Sequence, residues 1–434
     1  MPSPPGRVVA LNFMLRTAFQ GALAAFLLLS RALAAPPAPE VAPTVTFDQA
    51  IGLASRAPAV AGAEAAAVEQ RRVGDAVSSL IANPTLTLQP GAAKDPLDGR
   101  WNYMGEATIV QGWNLSGLPG NRQASIRTEG EQLGAEARAA ALSHRLGAAQ
   151  AWTELWAAQQ SLADAMQEYE LARDFSARMA RAAQAAAYTR AEAADAATYA
   201  AEAHVQAIAA DGEVTDRGFQ LAVAMGQQAE IPLVAAGPLP RPPAPTRTDW
   251  PALLEAAGRL PAVAARKLAG DADRAREAEL RSAKGWGFGT GVKGTRDYLG
   301  TWGAQAVLEF SFQLFDRGER EAAPAAAAAA RAAGEFQEAR AVAATEIARA
   351  LHEVEHSGET LEAIEKELVP AAALAAQSRE ASMRAGETTV LEVLVARRAW
   401  AAARQKRTRA LAIHSWAQVK VWMLVADMTP GGAK

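Results

Sequence analysis

Trp302-Gly303-Ala304-Gln305-Ala306-Val307-Leu308-Glu309-Phe310-Ser311-Phe312-Gln313-Leu314 alternates for thirteen residues. Trp302, Ala304, Ala306, Leu308, Phe310, Phe312 and Leu314 take one side; Gly303, Gln305, Glu309, Ser311 and Gln313 take most of the other. Successive side chains of a β-strand point to opposite faces, so the run reads as one long strand, apolar on one face and polar on the other. A strand that crosses a bilayer needs about 9–11 residues, and this run is long enough. Half-buried sheets of soluble proteins alternate in the same way, so an amphipathic hairpin on a soluble core is the competing reading.

The stretch before it supplies the partner strand. In Gly285-Trp286-Gly287-Phe288-Gly289-Thr290-Gly291-Val292 every odd position is Gly, with Trp286, Phe288 and Val292 opposite, and a turn follows at Lys293 to Gly300. An earlier hairpin has the same form. Thr85 to Gln89 alternates, Gly91 to Arg100 reads as a Gly/Pro/Asp loop, and Trp101 to Gln111 resumes the alternation. Trp101, Tyr103, Ala107 and Ile109 share one face there; Asn102, Glu106 and Thr108 share the other. Trp101, Tyr103, Trp286 and Trp302 are candidates for aromatic girdles at a membrane interface. Glu106 and Glu309 occupy matching positions on the polar faces. That setting predicts charges facing a watery lumen, not a paired acid and base.

The hairpins belong to a duplicated chain. Ala54-Ser55-Arg56-Ala57-Pro58-Ala59-Val60-Ala61 recurs as Ala257-Gly258-Arg259-Leu260-Pro261-Ala262-Val263-Ala264. The first repeat is assigned to 44–234, with a helix over 44–82 capped at Thr46 and stopped by Asn83-Pro84, a hairpin at 85–111, and a long helix pair. A Pro-rich extended linker follows at 235–250. The second repeat, 251–427, holds a helix, a hairpin at 285–315 and another long helix pair, and 428–434 is a tail. From Gly318 to Arg384 nearly every residue is a helix former, with Pro324 near the start and Pro370 as an expected kink; these 67 residues would reach roughly 100 Å. Ile347, Leu351, Val354, Leu361, Ile364 and Leu368 form a coiled-coil seam. A second helix runs from Glu387 to Asp427 after a break at Gly386. The first repeat matches with helix from about Arg122 to Gly226, broken around Tyr188-Thr189-Arg190. Rods of this length suit a conduit or a spacer.

Composition narrows the class. Half of the 434 residues are apolar, much of that Ala, which fits long packed helices. A net charge of −3 leaves no nucleic-acid footprint, and the absence of Cys excludes disulfides, thiolate metal sites and Cys nucleophiles. Residues 1–34 read as a secretory signal: Arg7 and Arg16, an apolar run from Ala18 to Leu29, and Ala32-Leu33-Ala34 as the cleavage box. An uncleaved anchor is the alternative, disfavoured because the run is short for a bilayer. Removal of residues 1–34 takes three Arg and no acid, leaving 41 basic and 47 acidic residues, a net −6.

His352-Glu353-Val354-Glu355-His356 matches H-E-x-x-H, the helical pattern in which two His hold zinc and the Glu serves as base. A zinc peptidase also needs a third ligand and a water-filled cleft. Glu359, Glu362, Glu365 and Glu367 follow without a recognisable third-ligand pattern. Leu351 and Val354 belong to the seam, which leaves His352, Glu355 and His356 on a solvated flank. Metal binding and catalysis there are therefore disfavoured. His144, His204 and His414 are isolated in sequence, no phosphate-cradling loop is present, and no cofactor is implied.

Strand edges cannot face hydrocarbon, so four strands per chain must close with those of other copies. Two chains would supply eight strands around a packed interior and three would supply twelve with room for a bore. The Gly-rich face at 285–291 favours curvature and open space.

The order helix, hairpin, long helix pair, duplicated and joined by a linker, resembles the TolC-like outer-membrane efflux family from about Thr44 to Asp427. Phe310-Ser311-Phe312-Gln313-Leu314-Phe315-Asp316-Arg317-Gly318 is similar to the strand-to-helix junction of its heavy-metal, CzcC-type branch. The segment from Gln111 to Arg122 takes the same place in the first copy. Met383-Arg384-Ala385-Gly386-Glu387-Thr388-Thr389-Val390-Leu391-Glu392-Val393-Leu394 is similar to the family's periplasmic-tip turn. The resemblance implies a fold that is mostly α with some β: four membrane strands per chain in a trimeric twelve-strand barrel, continued by an α-helical coiled-coil barrel across the periplasm. It implies a homotrimer in the outer membrane of a Gram-negative bacterium, in contact with outer-membrane lipid, a periplasmic adaptor and an inner-membrane pump. Such a protein is a passive exit duct and not an enzyme, and branch resemblance points to metal cations as cargo. Adaptor contact would fall on Gly386, Glu387, Thr388 and Thr389, and on Thr189, Arg190, Ala191 and Glu192, although the first tip lacks the family's Gly. A soluble periplasmic coiled-coil adaptor is the alternative, and a zinc peptidase the remote one.

Overall fold

The computed structural model describes residues 42–77, 83–312 and 315–428. The signal segment 1–34, the tail beyond 428 and the strand positions Gln313 and Leu314 lie outside the described residues. The duplication is plain in the order of elements. In the first repeat β1 (Thr44–Thr46), α1 (Phe47–Ala54) and α2 (Pro58–Val77) precede the hairpin β2 (Thr85–Lys94) and β3 (Trp101–Asn114). The rods α3 (Leu118–Gln184) and α4 (Arg190–Ala224) follow, then β4 (Val234–Ala236). In the second repeat α5 (Trp250–Ala256) and α6 (Pro261–Ala283) lead into β5 (Gly287–Arg296) and β6 (Trp302–Ser311). Next come α7 (Glu319–Ala363), α8 (Val369–Arg384) and α9 (Val390–Met428).

Several boundaries differ from the sequence expectation, each for a local reason. The single helix expected over 44–82 is a short strand and two helices. Thr46 does cap a helix, through a capping box with Gln49 (Thr46 N to Gln49 Oε1 2.9 Å, Gln49 N to Thr46 Oγ1 3.3 Å). That helix ends at Ala54, and Pro58 starts the next, where a missing N–H costs nothing. The loop expected over 91–100 shrinks to a turn, because β2 runs on through Pro90 and Gly91 to Lys94. Within the protomer β2 is an edge strand, the place where a sheet tolerates Pro. The linker opens as a strand: β4 pairs in parallel with β1, Val45 opposite Ala235. Beyond Ala363 the helix passes through a π-turn (Ile364–Leu368) just before Pro370, which leaves Leu368 exposed although Ile347, Leu351 and Val354 are buried as seam residues.

β2-β3-β5-β6 form one antiparallel sheet in which β3–β5 joins the two repeats (Trp113 opposite Phe288, Ile109 opposite Val292). The rods leave the sheet from one end, and the tight turns at 95–100 and 297–301 close the other. No helix among the described residues is long and apolar enough to cross a membrane. Three apolar clusters hold the helical part. Two are related by the duplication. One packs Ala50, Ala54, Trp152, Leu155, Leu221 and Met225 under β1 and β4. The other packs Ala257, Val263, Ile347, Leu351, Val419 and Leu424. The third, at the far end of the rods, joins Phe175, Met179 and Tyr199 of the first repeat to Val390, Val393 and Leu394 of the second. Each cluster supplies the tertiary packing from which helices in proteins draw most of their stability.

Candidate functional site

The sheet is built the opposite way round from a sheet on a soluble core. The register places Leu86, Leu88, Trp101, Tyr103, Ile109, Trp113, Phe288, Val292, Trp302, Leu308 and Phe310 on one face. That face is uncovered: Tyr103 is 81 % exposed, Trp302 74 %, Phe310 71 % and Leu308 68 %. On the other face Asn102, Glu106, Thr108, Gly287, Lys293 and Thr295 are half-buried and Gly289 is buried. On the central strands β3 and β5 the polar side is thus the more sheltered one, whereas on the edge strands β2 and β6 it is exposed. Thr85, Thr87, Thr108, Asn114, Glu309 and Ser311 line an open groove of about 720 Å³ upon it. Exposed apolar area on this scale marks a surface that meets something other than water.

Aromatic residues gather at both ends of the apolar face. Trp101, Tyr103 and Trp302 lie beside the turns, where the Arg296 guanidinium sits 5.6 Å over the Trp302 ring. At the rod end Trp113 stacks on Phe288 (centroids 6.3 Å) with Phe310 next in register. From Trp302 to Phe310 the strand rises about 27 Å, which matches the apolar band of a membrane barrel with its flanking girdles.

Glycine in β5 has a definite purpose at Gly291. A Cβ there would lie 2.2 Å from the Ile109 carbonyl oxygen, so only Gly lets β5 approach β3 this closely. Of the predicted lumenal carboxylates, Glu106 forms an ion pair with Lys293 (2.6 Å). Glu309 lies across Gly289 and has no ionic or hydrogen-bond partner among the described residues.

At the opposite pole the two helix turns are copies of one another. Ala385 N to Ala381 O (3.2 Å), Gly386 N to Met383 O (3.1 Å) and Glu387 N to Ser382 O (2.9 Å) close the second turn, with Gly386 at φ +77°. In the first turn Ala185 N to Arg181 O (3.1 Å), Ala186 N to Ala183 O (3.1 Å) and Ala187 N to Ala182 O (2.9 Å) repeat the pattern. Ala186 takes the place of the glycine at φ +58°, as the one non-Gly residue with positive φ among those described. This αL closure satisfies the last carbonyls of the helix.

The helices that follow start alike. Thr189 and Glu192 form a capping box (Thr189 N to Glu192 Oε2 2.8 Å, Glu192 N to Thr189 Oγ1 3.2 Å), and the backbone N–H of Thr189 holds the Glu192 carboxyl below its usual range. In the second copy Glu392 N donates to Thr389 Oγ1 (3.3 Å), Thr388 donates to the Glu392 carboxylate, and Arg379 pairs with it (2.7 Å). Gly386, Glu387, Thr389, Arg190 and Ala191 are exposed at the tips.

Behind the tips an ionic brace ties the two repeats together, and sequence reading missed it. Glu168 of α3 is 9 % exposed; it accepts from the Tyr199 hydroxyl of α4 and from Arg404 of α9 (2.9 Å). Thr408 reaches Asp164 (3.2 Å) and Arg398 pairs with Glu202 (2.6 Å). Burial, reinforced by the hydrogen bond to Glu168, pushes the Tyr199 hydroxyl well above its usual range. Glu168 and Arg404 lie 236 positions apart and Asp164 and Thr408 lie 244 apart, so no local spacing announces the brace.

The H-E-x-x-H stretch does not assemble a metal centre. His352 and His356 are exposed with rings 6.5 Å apart; Lys420 lies 3.7 Å from Glu353; Arg247 grips Glu355 through two bonds of 2.6 Å. No group of three metal-ligating side chains forms among the described residues. His414, isolated in sequence, in fact lies 3.0 Å from the Ser357 hydroxyl, with Gln418 on its other nitrogen. No carboxylate completes a triad among the described residues. Burial lowers the His414 pKa.

Residues 254–414 match the family described as "Outer membrane efflux protein". Among solved structures the protomer is similar to CusC, described in connection with transmembrane channel formation (TM-score 0.72, 14 % identity, covering 87 % of this chain and 91 % of that one). It is similar to a membrane protein from Pseudomonas aeruginosa (0.73, 15 %, 92 % and 98 %) and to the CmeC outer membrane channel of Campylobacter jejuni (0.73, 14 %, 89 % and 87 %). No curated protein matches the chain. The fold is that of an outer-membrane channel protomer, and the second repeat carries the efflux-family match. The matched family is described as an outer membrane efflux protein, and CmeC as an outer membrane channel.

Proposed function

We propose that this chain is the outer-membrane duct of a tripartite efflux system. The observation that carries the reading is the sheet: its aromatic and aliphatic face is bare, while on its central strands β3 and β5 the polar face is the more sheltered. Hydrocarbon on one side and a watery bore on the other account for both. β2 and β6 are edges within the protomer, and unpaired edges are intolerable in lipid, so β6 of one copy pairs with β2 of the next. Closure by three copies gives twelve strands, the number the family resemblance favours, and a lumen faced by Glu106 and Glu309. The rods continue the bore through the periplasm of a Gram-negative cell. The adaptor meets the tips at Gly386 to Thr389 and at Thr189 to Glu192, and an inner-membrane pump supplies the driving force.

Purified protein runs as a detergent-dependent trimer and conducts ions across a planar bilayer. A water-soluble monomer without conductance contradicts the duct and favours the soluble adaptor. Cargo selection belongs to the pump; the similarity of residues 310–318 to the heavy-metal branch supports divalent metal cations. Deletion of the gene then sensitises cells to zinc, cobalt or cadmium and leaves tolerance of organic biocides unchanged, whereas the reverse pattern excludes the metal assignment. Glu353→Gln leaves efflux intact.

A further inference from the structure

The polar face of the sheet carries three charged residues, Glu106, Lys293 and Glu309, at two different heights. The register sets Glu309 level with Gly289 and Gly112, six residues along β3 from Glu106, which is about 20 Å along the strand. Glu106 is neutralised by Lys293 at 2.6 Å. Glu309 is exposed, has no cationic partner among the described residues, and has only glycines beside it across β5 and β3. Its side chain is open to water and no ion pair offsets its charge among the described residues. We infer that Glu309 sets the ion preference of the barrel, forming a negative ring at its rod-proximal end beneath a neutral Glu106–Lys293 ring at its outer end. This rests on the duct reading and extends it. Three copies place three unscreened carboxylates around one bore, which draws cations in and repels anions, while the outer ring is indifferent to charge.

The chain has no cysteine, so single cysteines report local potential against a silent background. Ser311 lies two residues from Glu309 on the same face, about 7 Å away. In reconstituted trimers Ser311→Cys is modified by a quaternary-ammonium and by a sulfonate methanethiosulfonate, and their rate ratio is normalised to a free thiol. One carboxylate at that distance in water makes the cationic reagent about threefold faster at 0.1 M salt and about fivefold at 0.01 M. Glu309→Gln in the same background abolishes the preference and its salt dependence; Glu309→Asp retains them. At Thr108→Cys, between Glu106 and Lys293, the ratio equals that of the free thiol until Lys293→Gln raises it. A cysteine at 311 that reacts with both reagents at free-thiol ratio, unmoved by Glu309→Gln, overturns the inference and leaves the duct standing. A cysteine at 311 that reacts with neither reagent in folded trimers contradicts the watery bore itself, and the inference falls with it.

Discussion

Replacing Ala186 by Gly should stabilise the first helix tip. The two tip turns share three backbone hydrogen bonds of matching length, yet one places Gly386 at φ +77° and the other forces Ala186 to φ +58°. An L-residue in the left-handed region is disfavoured by about 1–2 kcal/mol. Glycine removes that strain but starts from a more disordered unfolded chain, which returns about 0.5–1 kcal/mol. The expected net gain is about 0.5–1 kcal/mol, confined to the turn. Gly386→Ala should lose a similar amount, and only through the backbone, since a Cβ there has nothing within 4 Å. Hydrogen exchange of the tip amides is the suitable assay, because it reads local opening without requiring the whole trimer to unfold reversibly. Exchange at 183–190 should slow about two- to fivefold in Ala186→Gly, and exchange at 383–390 should quicken by a similar factor in Gly386→Ala. Unchanged or faster exchange in Ala186→Gly would show that the strain reasoning is wrong.

Other expectations follow from the sheet and the brace. Ala306→Lys puts a charge midway between the Trp302 and Phe310 ends of the apolar face and should destabilise the barrel by about 2–4 kcal/mol, whereas Gln305→Lys on the polar face is tolerated; folding yield into vesicles compares them. Gly291→Ala places a Cβ 2.2 Å from the Ile109 carbonyl and should abolish heat-modifiable trimer on gels. Gly294→Ala, where the nearest atom is 4.0 Å away, should not. Tyr199 holds its proton more tightly folded than unfolded, so above about pH 10 the unfolded chain releases a proton the folded one keeps, and stability falls as pH rises. Circular dichroism of the helical part at pH 9 to 12 should show that loss, and Tyr199→Phe should remove it.

Local physics made some parts legible in sequence. Alternation through 302–312 declared the strand because successive side chains of a strand point to opposite faces. Thr46 declared a helix start because its cap is complete within four residues. Non-local pairings were silent. β1 joins β4 across 190 positions, so the Pro-rich linker gave no sign that Val234–Ala236 forms a strand. Glu168, Tyr199 and Arg404 come from three helices, and no spacing links them. β2 was cut short because Pro90-Gly91 reads as a turn, and only the edge position in the sheet makes them acceptable as strand. Ala186, standing where glycine is customary, left the first tip with a weaker signal than the second.

The most direct test asks which face of β6 meets hydrocarbon. Single nitroxide labels at successive positions from 302 to 311, in trimers reconstituted into lipid vesicles, are exposed to oxygen and to a water-soluble nickel chelate. Labels at even positions should favour oxygen and those at odd positions the chelate, alternating along the strand. Equal accessibility at even and odd positions would contradict the membrane barrel and the duct built upon it.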